Sequence, residues 1–222
     1  MKLNKGYGSY THQPLIKGVL DLYEPEFILE LGIGVYSTPI FLGRINNCPG
    51  KEVGYFGIEN NAEWIAYIEK KYDTPTLFKH HDLDDIKIGD SITDLRYNQI
   101  RDITKYYKAL KFSNKRPNLL FIDNYASCRA IAFNALRHGF DMIILHDCEP
   151  HAVGWYCWDI LQVKEFEIYY LTSYESWTGL FIRPDNDKGY KTLKSSVDSY
   201  IKELEVRDGD LNMHLIKNDN HI

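Results

Sequence analysis

Short apolar runs alternate with amphipathic stretches along most of the chain. Phe27-Ile28-Leu29, Val53 to Ile58, Thr76 to Lys79, Leu119 to Ile122 and Met142 to Leu145 read as strands. Between them, Pro14 to Tyr23 places Leu15, Ile16, Val19, Leu20 and Tyr23 on one side of a helix that Pro25 ends. Thr38 to Ile45, Ala62 to Lys71, Tyr97 to Leu110 and Ser127 to His138 have the same spacing, and Gly139 closes the last of them. Further on, His151 to Leu161 predicts a helix. Phe166 to Leu171 and Gly179 to Arg183 predict strands joined by a short connection, Thr172 to Thr178. Lys188 to Glu205 is an amphipathic helix with Leu193, Val197, Tyr200 and Leu204 on one face, and Asp208 to Ile222 reads as a polar tail or a short edge strand. Gly6 to Gln13 reads as a polar loop. The alternation predicts the α/β class, and without repeats or linkers it predicts one domain over 1–222. Within it, 1–24 forms an N-terminal cap-helix region and 184–222 a C-terminal helix and tail.

Phe27 to Leu42, FILELGIGVYSTPIFL, is a strand, a tight turn and a helix start. Gly32 and Gly34 allow unusual backbone angles and close approach of a ligand, and the helix start offers unpaired N–H groups. A dinucleotide fingerprint would place a third glycine where Ser37 stands, and no lysine follows to make a phosphate loop. Glu30, just ahead of the glycines, would repel a pyrophosphate and suits an ammonium or sulfonium group. With its acidic residue, Gly32 and Gly34, the stretch resembles the first motif of the class I S-adenosylmethionine-dependent methyltransferases, nearest in layout to those acting on small-molecule or sugar hydroxyls. That resemblance implies a Rossmann-like, seven-stranded, mostly parallel sheet with an antiparallel last strand and helices on both faces. It implies S-adenosyl-L-methionine as cofactor, contacted by Glu30, Gly32, Gly34, Ser37, Glu59, Asn60, Asp82 and Asp123. Glu59 closes the second strand, where one carboxylate can accept from both ribose hydroxyls. Asp82 is the candidate for the adenine edge. A cofactor-covering loop and helix in the family would correspond to Tyr10, His12 and Gln13, the alternative being a solvated loop that caps a packing helix.

Asn118 to Pro150 predicts a β-α-β unit whose two strands end in Asp123 and Asp147, on the same sheet edge as Gly32 and Glu59. Glu30, Glu59, Asp123 and Asp147 would thus converge on one crevice. For an oxygen acceptor the base would be Asp147 or His146, with Asp123 beside the methionine end or in the acceptor pocket. Trp155, Tyr156, Trp158 and Tyr174 either wall that pocket or serve as core and hairpin aromatics. Metal-dependent relatives gather a divalent ion such as magnesium with an Asp after the fourth strand and an Asp-Asn pair after the fifth. Asp123 and Asp147 fit that pattern, while Cys148 replaces the Asn. His146, Cys148, His151 and Cys157 are competent zinc ligands, but their spacing matches no recognised finger.

Charge narrows the partners. With 26 Lys and Arg against 31 Asp and Glu, the net charge of -5 argues against gripping a nucleic-acid backbone. The longest stretch free of charge, Leu31 to Gly43, is too short to span a bilayer, and the first residues carry no secretory signal. Four cysteines without a paired framework suit a reducing compartment, so the expected setting is cytoplasmic. A homodimer is compatible with these features. Two other classes stay open: an NAD(P)-dependent oxidoreductase, disfavoured by Ser37, and a non-catalytic Rossmann-like nucleotide-binding protein.

Overall fold

A computed structural model describes residues 10–47, 53–74, 78–80, 117–124, 129–172, 176–208 and 213–218. The predicted helix Tyr97 to Leu110, Asp82 and Tyr174 lie outside the described residues.

Among the described residues, eight strands form one sheet: β1 (Phe27–Leu31), β2 (Gly54–Glu59), β3 (Phe78–His80), β4 (Asn118–Ile122), β5 (Met142–His146), β6 (Glu167–Thr172), β7 (Thr178–Ile182) and β8 (His214–Lys217). Their order is β3-β2-β1-β4-β5-β7-β6-β8. β3, β2, β1, β4 and β5 pair in parallel, whereas β7 inserts antiparallel between β5 and β6. This is the Rossmann-like layout that the resemblance implies. The stretch expected to be a polar tail or edge strand supplies β8, antiparallel to β6, and so adds an eighth strand to the expected seven.

Every residue of β1, β4 and β5 is buried, because helices cover both sheet faces. Alternate residues feed two separate cores. Ile28, Leu119, Phe121, Met142 and Ile144 point into one, shared with α1 (Gln13–Tyr23), α2 (Thr38–Asn46), α3 (Ala62–Tyr72) and the long helix Tyr190–Asp208. Leu29, Leu120, Ile122, Ile143 and Leu145 point into the other, under α4 (Arg129–Leu136) and the segment around Trp158 and Phe166. Gly18 lets α1 press against the long helix, since a Cβ there would sit 2.8 Å from Val197 Cγ2.

The helix predicted from His151 to Leu161 is broken into three pieces. A 3-10 turn at Pro150–Ala152 leads into one α-turn, α5 (Val153–Tyr156), Cys157 takes a left-handed φ of 58°, and a second 3-10 turn covers Trp158–Ile160. Outside anchors override the helical spacing. The Trp158 indole donates to the Asp147 carbonyl at 3.1 Å, and the Asn134 amide ties down Ile160 and Gln162. Numbered in chain order, Tyr190–Asp208 is α6.

Candidate active site

The strand order reverses direction between β1 and β4, which opens a crevice beyond the carboxyl ends of these two strands. Gly32 follows β1 there with φ 86°, and a Cβ on it would lie 2.5 Å from the Asp123 carbonyl carbon and 2.7 Å from the Asn124 nitrogen. Only glycine lets the two strand tips meet so closely. The turn is then locked: Gly34 N–H donates to Thr38 Oγ1 at 2.9 Å, and the Trp64 indole donates to the Ile33 carbonyl at 2.7 Å.

Glu30 lies elsewhere than expected. It has no solvent exposure, and its carboxyl group receives Ser37 Oγ at 2.5 Å, Thr38 Oγ1 at 3.0 Å and the Tyr55 hydroxyl. Burial raises its pKa to about 8 despite those hydrogen bonds. Glu30 and Ser37 therefore brace the turn from beneath, away from any surface a ligand could touch. Glu59, in contrast, reaches the crevice: its Oε1 accepts from the main-chain N–H groups of Asn60 at 2.8 Å and Asn61 at 3.0 Å, and the Ile33 main chain also holds it. Partial burial raises its pKa as well. Asn61 caps α3, its side chain accepting from Trp64 N–H.

On the other side of Gly32, the tips of β4 and β5 are tied by a cation from the protein itself. Arg129, at the start of α4, donates to Asp123 Oδ1 and to Asp147 Oδ2, both at 2.8 Å, and also to the carbonyls of Asn124 and His146. Its guanidinium lies 4.7 Å from the centre of the Tyr156 ring, which stacks in turn on Trp158. Tyr156 and Trp158 are thus part of the scaffold around Arg129. With a guanidinium between Asp123 and Asp147, this carboxylate pair does not fit a magnesium ion. Asp147 has a left-handed φ of 59°, uncommon outside glycine, at the point where its side chain enters the network.

His146 Nδ1 lies 3.2 Å from Asp123 Oδ1 and 3.6 Å from Asp147 Oδ1, so the Nδ1 proton faces carboxylate. Its Nε2 faces the hydroxyls of Ser176 at 3.2 Å and Thr11 at 3.4 Å, and Ser176 donates to Asp147 Oδ1 at 2.7 Å. Burial opposes charge on the ring, yet Asp123 outweighs it and the His146 pKa moves up. Burial likewise disfavours the two carboxylates, but His146 and Arg129 hold both below their ordinary range. Of the stretch expected as a polar loop, Thr11 and His12 are buried against His146, and Gln13 Nε2 donates to the Tyr36 carbonyl at 3.0 Å.

Asp123, His146 and Asp147 are thus brought together, with Gly32, Gly34 and Glu59 alongside, and Asn60 beside Glu59 at an exposed position. Thr11, Tyr55 and Ser176 join the network without any motif that marks them in the sequence. Of the four spaced zinc candidates, His151 is exposed, and the group of metal-competent atoms found among the described residues is a different one, His12, Asp123 and His146. A separate apolar cavity of about 270 Å³ lies behind Cys148, walled by Trp158, Tyr170, Trp177 and Phe181.

No family model matches the chain, and no curated protein does. Among solved structures, the chain is similar to a protein assigned as a methyltransferase of Thermobifida fusca, with 11% identity, TM-score 0.49 and coverage of 78% of this chain and 80% of that one. It is also similar to one assigned as an O-methyltransferase of Klebsiella pneumoniae, with 14% identity, TM-score 0.48 and coverage of 78% and 80%. Human methyltransferase-like protein 13, solved with SAH, gives 15% identity, TM-score 0.48 and coverage of 88% and 89%. These likenesses are loose, and the side chains of the crevice carry the functional reading.

Proposed function

We propose that the chain is a single-domain, S-adenosylmethionine-dependent methyltransferase acting on a hydroxyl of a small molecule or sugar. The observation that carries this reading is the crevice at the strand-order reversal, where the Gly32 to Gly34 turn is flanked by Glu59 on one side and Asp123 on the other. A nucleoside fits there: Glu59 can take ribose hydroxyls, and Asp123 the ammonium of an amino-acid end. Gly34 supports the same reading, because a Cβ there would meet only Ser37 Oγ at 3.4 Å, an ordinary contact, so a ligand lying on the main chain is what makes its bareness useful.

When bound, S-adenosylmethionine supplies a methyl group already activated by its sulfonium. The protein's part is to align the acceptor and remove its proton. His146 is the basic group: Asp123 fixes its Nδ1 proton, leaving Nε2, among the Ser176 and Thr11 hydroxyls, to take a proton. Asp147 orients, since Arg129, Ser176 and Tyr156 all bond to its carboxylate. Cys148 and Cys157, thiols outside any disulfide among the described residues, suit a cytoplasmic setting.

Calorimetry against S-adenosylmethionine and NAD tests the assignment. Heat is expected with the former only, with Glu59→Ala weakening binding by roughly 10- to 100-fold, as loss of charged hydrogen bonds would. Heat with NAD alone would overturn it in favour of an oxidoreductase. Because the His146 pKa is raised, turnover on an accepted hydroxyl should be low at pH 6 and climb with a midpoint above the ordinary 6.5. A flat profile in labelled-methyl transfer from pH 6 to 9 would remove His146 from the role of base.

A further inference from the structure

We infer that His12, Asp123 and His146 form a binding site for one divalent transition ion of the zinc class. One ligand atom from each of the three lies within 4.8 Å of the other two. His12 is the telling member. It is 2% exposed, and neither ring nitrogen has a hydrogen-bond partner among the described residues. It stands at the N-cap of α1, yet its side chain makes no capping bond. It packs against Phe121, at 5.3 Å between ring centres, a contact that offers its nitrogens no hydrogen-bond partner. Two such nitrogens shut away from water cost about 1–3 kcal/mol each, an expense a core position filled by Leu or Phe would avoid.

The ring centre lies 4.7 Å from that of His146, edge to face, and one of the two orphaned nitrogens is within 4.8 Å of the other two candidate ligand atoms. His146 Nδ1 and Asp123 Oδ1 are 3.2 Å apart. Two ligands bound tetrahedrally at about 2.0–2.1 Å from one ion would be roughly 3.3 Å apart, so the spacing that now suits a shared proton also suits a shared metal. Two imidazoles and one carboxylate favour zinc or its transition-row neighbours over magnesium and calcium, which prefer all-oxygen shells. Arg129 opposes a cation here. Asp147 offsets it, since two carboxylates against one guanidinium leave one net negative charge for the ion. The Asp123 side chain is 25% exposed and gives the ion a route from solvent.

Three protein ligands would leave a fourth position open, the arrangement of reactive rather than purely structural zinc. An ion on His146 Nδ1 and Asp123 Oδ1 displaces the proton and the ammonium that the methyl-transfer reading places on those groups, so the two roles are alternative states of one cluster and neither rests on the other. The test of the ion site therefore contains no nucleoside, and a failure of S-adenosylmethionine to bind would leave it untouched.

The full chain, stripped with a chelator, is titrated with Zn²⁺, Mg²⁺ and Co²⁺. The expected result is one equivalent of Zn²⁺, no heat with Mg²⁺, and visible Co²⁺ absorption bands of a four-coordinate site. His12→Gln should weaken Zn²⁺ binding on the order of 100-fold, while His151→Gln, which alters an exposed histidine outside the group, should leave it unchanged. Absence of the Co²⁺ bands in the unaltered chain would overturn the site without recourse to any variant. So would a folded His12→Gln protein that binds Zn²⁺ as the original does.

Discussion

Gly32 and Glu30 stand two positions apart and serve the same turn by opposite means, one through the absence of a side chain and the other through a buried one. At Gly32, the positive φ and the close approach of Asp123 and Asn124 combine. Gly32→Ala is expected to lose at least about 2 kcal/mol in chemical denaturation, from left-handed strain of about 1–2 kcal/mol plus the displaced β4 tip. Gly34→Ala should leave stability within about 1 kcal/mol, as its φ is ordinary and its nearest contact relaxed. At Glu30, pH is the probe. The folded carboxyl titrates at about 8 and the unfolded one at about 4.5. Between those values the unfolded chain releases a proton that the folded chain keeps, so the Glu30 contribution to stability is full below about 4.5, falls as pH rises and is gone above about 8. Denaturation midpoints of the wild type and Glu30→Gln, compared at pH 5 and pH 8, should show a larger decline in the wild type. Equal declines would mean that Glu30 is ionised throughout.

Among elements, the joint between β4, α4 and β5 is the one where a single side chain does most. Arg129 pairs with two carboxylates and donates to two carbonyls while nearly sealed from water. Arg129→Met leaves Asp123 and Asp147 without their cation and should destabilise by about 3–5 kcal/mol, read from urea denaturation; Arg129→Lys, which keeps the charge and loses the fork, should cost less. Little of this joint is written locally. The strands themselves were legible because β1, β4 and β5 are buried on both faces and so appear as unbroken apolar runs. Glu59, Asp123 and Asp147 were legible because each ends such a run, at the edge where parallel strands present their carboxyl ends. The partners of those carboxylates come from places with no period to betray them. Thr11 is 135 positions from His146, and Ser176 approaches from two residues ahead of an antiparallel strand. Glu30 misled for the opposite reason: a strand residue next to a glycine turn looks ligand-facing, and only the three hydroxyls around it reveal that it points inward. The helix expected after β5 failed where Trp158 and Asn134, neither visible as an anchor in the sequence, outcompeted its own hydrogen-bond ladder.

At the scale of the molecule, two apolar cores clamp the sheet from both sides, and the crevice lies at its edge, where polar groups from the tips of β2, β4 and β5 gather around the Gly32 turn. A site built this way is coupled to folding, because its walls belong to β1, β2, β4 and β5 at once. Any ligand that binds only the assembled crevice must therefore stabilise the whole sheet by mass action. With S-adenosylmethionine at a hundred times its dissociation constant, the gain is about 2.7 kcal/mol. For a chain of this size that corresponds to a rise of roughly 5–10 °C in Tm. Glu59→Ala should keep an unliganded transition within about 1 kcal/mol of the wild type, since hydrogen bonds to Asn60, Asn61 and the Ile33 main chain are what it loses. Its gain at the same nucleoside concentration should shrink to about 0.4–1.4 kcal/mol if binding is roughly 10- to 100-fold weaker. A full rise in that variant would separate Glu59 from the nucleoside and place the ligand elsewhere on the sheet edge.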